Sequence, residues 1–106
     1  MSDLHLTDNP TLQDLQTYVA DMVRERHFTD QVPQRFMLLL EECGEFARAA
    51  REHVGTKFAA DTHHADMAEE AADVFIILLG ICNLLGIDLE QAFRDKEEKN
   101  KQREWR

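Results

Sequence analysis

From Val74 to Cys82 the chain has no charged or strongly polar residue, so a helix carrying this run is apolar on every side. A helix of that kind must be covered. The run is much shorter than the ~20 residues that span a bilayer, so the cover has to be protein. The spacing around it predicts a helix from roughly Ala65 to Leu85, ended by Gly86.

Three further helices are predicted to supply the cover. After "TDNP", where Asn9 or Asp8 can cap and Pro10 suits a first turn, Leu12, Leu15, Val19, Met22 and Val23 recur at helical spacing up to about His27. Pro33 opens a second helix that runs to about His53, with Gly55 placed to stop it. The stretch "VGTKFAADTHH", residues 54–64, has no clear period and reads as a loop, with room for a helical turn. Asp88 followed by Gln91 resembles a capping box for a fourth helix, which carries Leu89, Ala92 and Phe93 into the charged tail "RDKEEKNKQREWR". No stretch alternates as a strand does, so the expected fold is all-α, a four-helix bundle in a single domain over residues 1–106. Residues 1–9 form an N-terminal extension and 104–106 a tail. By spacing, Phe36, Phe46, Phe75 and Phe93 belong to the core, and Trp105 is frayed or docked on a partner chain.

A chain of 106 residues buries only about two thirds of the surface it exposes when unfolded, so its own core is modest. The small core and the all-apolar third helix both point to oligomerisation. With 21 acids against 12 bases, the formal charge of −9 argues against a nucleic-acid polymer as partner, because no basic patch offsets the acidic field. The N-terminus "MSDLHLTDNP" lacks an apolar signal region, and no membrane partner is expected. Cys43 and Cys82, far apart and among apolar neighbours, read as buried free thiols in a reducing cytoplasm.

The function-bearing feature is the placement of acids among the apolar residues of helices two and three. Phe36, Leu39, Leu40, Cys43, Ala47 and Ala50 make one broad apolar face of helix two. Leu38, Glu42, Glu45 and Ala49 make a second stripe, with Glu41 one turn from Glu45. On helix three, Glu70, Asp73, Ile77, Ile81 and Leu84 share a line. If the two helices pack side by side, Glu41, Glu42, Glu45, Glu70 and Asp73 converge. Like charges about 4 Å apart repel by about 4 kcal/mol at an effective dielectric of 20. The acids therefore spread into water, take up protons, or are held by a metal ion. Oxygen ligands without nearby Cys or paired His favour Mg2+ or Mn2+ over zinc, and the absence of Glu-x-x-His pairs argues against a di-iron bundle. Glu69 points about 100° away from Glu70 and suits a surface role, while Asp66 suits a helix start. The adjacent His63 and His64 diverge and fit an exposed loop or helix start better than a metal site.

Glu41-Glu42-x-x-Glu45 followed by Glu70-x-x-Asp73 resembles the EExxE and ExxD signature of the MazG-like all-α nucleotide pyrophosphohydrolases. The resemblance runs from about Thr11 to Arg103. "TLQDLQTYV" is similar to the family's first helix, "LGIDLEQAF" to its link into the last, and Lys96, Asn100 and Arg103 to its closing K-x-x-x-N-x-x-R pattern. It implies hydrolysis of a nucleoside triphosphate to the monophosphate and pyrophosphate, with Mg2+ (or Mn2+) held by Glu42, Glu45, Glu70 and Asp73. Glu41 would be a further ligand or the base that orients the attacking water. Lys96, Asn100 and Arg103 would meet the phosphates or a sugar hydroxyl. Phe28 resembles an aromatic that stacks on the base in several relatives, and equally fits a core staple. The resemblance also implies a homodimer or a dimer of dimers. A narrower enzyme acting on phosphoribosyl-ATP, and a helical assembly module without turnover, are the alternative readings.

Overall fold

The computed structural model describes residues 2–55 and 60–103, with side chains described for 2–54 and 66–103. Four helices follow one another: α1 (Leu12–Glu25), α2 (Val32–Gly55), α3 (Ala60–Leu84) and α4 (Leu89–Lys101), and the described residues include no strand. Among the described residues no single helix is both long and apolar enough to cross a membrane.

The helix ends follow local chemistry, in places not the expected one. Thr11, rather than Asn9 or Asp8, caps α1: its hydroxyl accepts from Asp14 N at 3.0 Å and Asp14 Oδ2 accepts from Thr11 N at 2.9 Å, a reciprocal capping box. α1 ends earlier than His27 because the chain there enters a Schellman turn. His27 takes φ 56°, and Phe28 N donates to Val23 O at 3.0 Å. Gly86, at φ 70°, ends α3 in the same way, with Ile87 N donating to Cys82 O at 2.8 Å. Asp88 caps α4 by accepting from Gln91 N at 3.1 Å, but Gln91 completes no capping box, since its side chain donates to Asp95.

Of the expected loop over residues 54–64, the described residues 54–55 and 60–64 are helical. α2 continues through Gly55 and α3 begins at Ala60, before the expected start at Ala65. Gly55 is the last residue of α2, and residues 56–59 lie outside the described residues. Periodicity missed the early start of α3 because "ADTHHAD" has few apolar residues to mark a face. His63 and His64 fall in this early part of α3, and their side chains lie outside the described residues.

α2 and α3 form the principal packed pair, and α1 lies across α3. The core joins Val19 and Met22 of α1 to Leu79 of α3, which is 1% exposed, with Leu12, Leu15, Ile76 and Leu89 packed around them. The broad apolar face of α2 is not in this core. Leu40 is 72% exposed, and Phe36, Cys43 and Ala47 are exposed as well; of the expected buried thiols only Cys82 is buried, and burial pushes its pKa up. Phe46, Phe75 and Phe93 are also exposed, contrary to the spacing, because in a single chain they point away from the core that α1 provides.

The side that α2 turns toward α3 is neither expected stripe but takes from both, Arg35, Leu39, Glu42 and Ala49, while Leu38 and Glu45 of the expected second stripe are exposed. Arg35, only 3% exposed, lies against Gly80, where an added Cβ would come 3.4 Å from Nη1. Its Nε donates to Thr29 O at 2.8 Å, Nη2 has no hydrogen-bond partner, and burial lowers its pKa from the ordinary guanidinium value.

Candidate active site

Glu42 meets Asp73 on the same seam where Arg35 meets Gly80, and farther along Glu45 and Ala49 line one cavity with Glu70 and Asp66. Steps of seven, three and four up α2 are matched by the same steps down α3. That is an antiparallel register, and it gives the spacing of the acids its physical meaning. A three-residue interval on each helix is about one turn, so Glu42 and Glu45 stand opposite Asp73 and Glu70 as two successive rungs.

Carboxylate oxygens of Glu42, Glu70 and Asp73 lie within 4.8 Å of one another. Glu42 and Glu70 are half-buried at the seam and Asp73 is exposed at its mouth. Three carboxylates this close would not persist ionised without a counter-charge. The Glu42 carboxyl is held above its ordinary pKa, first by desolvation, then by a hydrogen bond with Glu70 and by the charges of Asp73, Glu70 and Glu45. The donor set is all oxygen, compact and partly desolvated, which fits a hard divalent cation such as Mg2+ or Mn2+.

The other predicted residues are placed around this cluster. Glu45 turns toward solvent and pairs with Arg48 at 2.8 Å, yet it lines the adjoining cavity of about 120 Å3 together with Glu70. Glu52, Asp66 and Glu69 line the same cavity, so Asp66 and Glu69, read from the sequence as a helix-start acid and a surface acid, extend the acidic cleft. Glu41 is exposed beside Glu42. Phe28 is exposed at the end of α1, where the Schellman turn and the Arg35–Thr29 hydrogen bond fix the backbone around it. Lys96 and Arg103 are exposed and Asn100 half-buried, on or just past α4, whose principal contact is with α1. Arg35 is absent from the expected site, although it stands seven residues before Glu42 as Gly80 stands seven after Asp73, a signal visible in the sequence.

Residues 33–105 match the family pattern of the MazG nucleotide pyrophosphohydrolase domain. The chain belongs to this family. The match takes in the whole MazG acid motif on α2 and α3 together with Lys96, Asn100 and Arg103. The MazG chain is also similar to a dATP/dGTP diphosphohydrolase of Cyanophage S-2L, with 39% identity over 54 residues, 51% of this chain and 50% of the relative. It thus spans about half the length of the curated relative it matches.

The raised pKa of Glu42 has a measurable consequence for the metal-free MazG domain. Glu42 holds its proton more tightly folded than unfolded, so folding takes up a proton between the ordinary value of 4.5 and the raised one. Glu42 supports stability below that window and withdraws the support as pH rises through it. The Tm of wild type, with chelator present, should therefore fall relative to that of Glu42→Gln as pH rises from about 4 to 8. Millimolar Mg2+ should close the gap at the upper end. A Tm difference that does not change with pH would refute the desolvated, crowded environment assigned to Glu42.

Proposed function

We propose that this chain is a Mg2+-dependent nucleoside triphosphate pyrophosphohydrolase that converts an NTP or dNTP and water to the monophosphate and pyrophosphate. The observation that carries the reading is the triad of carboxylates from two antiparallel helices within 4.8 Å. Glu42, Glu70 and Asp73, with Glu45 swung in from Arg48, would hold the cation. When bound, the cation neutralises phosphate charge and stabilises the charge that builds on the leaving pyrophosphate.

The remaining work falls to the chain's own groups. Water oxygen bonds to the α-phosphorus, the bond from that phosphorus to the α–β bridging oxygen breaks, and pyrophosphate departs with the electron pair. Glu41, exposed next to Glu42 in sequence, would orient that water and accept its proton, or add a ligand. Lys96 and Arg103 contact phosphate oxygens, and Asn100 a phosphate or sugar hydroxyl. Phe28 offers a ring on which a base stacks. A second copy of the chain covers the exposed face of α2 and completes a homodimer or homotetramer.

The purine deoxynucleotides named for the phage relative are the first substrates to try. A pyrophosphate-release screen over natural and damaged triphosphates, with and without Mg2+, is expected to show Mg2+-dependent release with the monophosphate as co-product. Release of orthophosphate, or no turnover on any triphosphate, would overturn the reading. Turnover of phosphoribosyl-ATP alone would replace it with the narrower enzyme.

A further inference from the structure

α4 contains no buried residue, and Phe93 on it is 67% exposed. It packs on α1, with Leu89 at its start beside the core. It leaves α3 at a sharp corner, where the axes of Asp66–Leu84 and Leu89–Lys101 differ by 96°. Gln16 of α1, 7% exposed, reaches into that corner with its whole amide. Its Nε2 donates to Asn83 Oδ1 at 3.1 Å and to Ile87 O at 2.9 Å, and its Oε1 accepts from Leu89 N, the first residue of α4, at 2.7 Å. Asn83 Nδ2 returns a bond to Gln16 O at 2.9 Å. One side chain thus ties together the last turn of α3, the turn itself and the first N–H of α4.

We propose that Gln16 is a positioning residue: through this corner it sets the direction in which α4 presents Lys96, Asn100 and Arg103 to the substrate. This rests on the proposed phosphate contacts of those residues. Leverage makes the corner matter. Lys96 lies about 10 Å and Arg103 about 20 Å along the axis from Leu89, so a tilt of about 10° moves the far end by about 3.5 Å. That exceeds the tolerance of a hydrogen bond.

The test uses Gln16→Glu, which keeps the shape and the acceptor for Leu89 N but loses both donated bonds, beside Lys96→Ala/Arg103→Ala and the combined variant. For the substrate found by the pyrophosphate screen, Gln16→Glu is expected to raise KM about tenfold with kcat within about twofold. Mn2+ affinity without substrate should not change. In the Lys96→Ala/Arg103→Ala background the same substitution should add little to KM, because the groups it positions are gone. An unchanged KM, fully additive effects, or weakened Mn2+ binding each overturns the positioning role. If Lys96→Ala/Arg103→Ala itself leaves KM unchanged, the phosphate role of α4 is what fails, and this inference fails with it. Asn83→Asp, which removes the return bond from the other side, should reproduce the KM change; failure to do so also counts against the role.

Discussion

Replacing Glu42 by Gln, or Asp73 by Asn, is expected to lower kcat for triphosphate hydrolysis by about 10³-fold, roughly 4 kcal/mol of transition-state stabilisation. Both substitutions keep the shape of the side chain and remove its charge, so far-UV circular dichroism should not change. The metal-free proteins should be as stable as wild type or more so. Two charges 4.8 Å apart repel by about 3.5 kcal/mol at an effective dielectric of 20. The gain will be a fraction of that, because Asp73 is exposed and solvent screens it. Pyrophosphate release and Tm with and without Mg2+ measure both halves. Undiminished turnover in both variants would remove the carboxylate cluster from the chemistry.

Leu40→Asp is expected to split the assembly. In a single chain Leu40 is 72% exposed, and a surface change of this kind normally alters stability by less than about 0.5 kcal/mol. If a second copy covers Phe36, Met37 and Leu40, the aspartate instead buries an unpaired charge in the interface and costs several kcal/mol. Sedimentation should then show wild type as a dimer or tetramer and the variant as a monomer at micromolar concentration, with turnover reduced about tenfold or more. A wild type that sediments as a monomer would dispose of the oligomer, and the exposed apolar face would need another cover.

These two experiments probe different levels of legibility. The acid cluster could be read in advance because both helices carry carboxylates three residues apart, and a helical pitch of 3.6 converts that spacing into aligned rungs wherever the helices run antiparallel. The side of α2 that turns inward could not be read that way. The sequence offers α2 two stripes. Apolarity favours the one with Phe36 and Leu40, whereas the folded chain seats a side that belongs to neither, Arg35, Leu39 and Glu42, against α3. Hydrophobic patterning ranks faces by what they gain when covered, and it does not say which cover comes from the same chain.

By itself the sequence determined four helices, their Gly86 and Asp88 boundaries and the alignment of acids along α2 and along α3, all consequences of local periodicity and capping. Only the tertiary structure decided that Glu45 turns to Arg48, that Cys43 and four phenylalanines other than Phe28 face outward, and that Gln16 holds the corner from which α4 departs. The reason is range. A helix is written in neighbours three and four residues apart, whereas Gln16 meets Leu89 across 73 positions, a separation that no local period encodes.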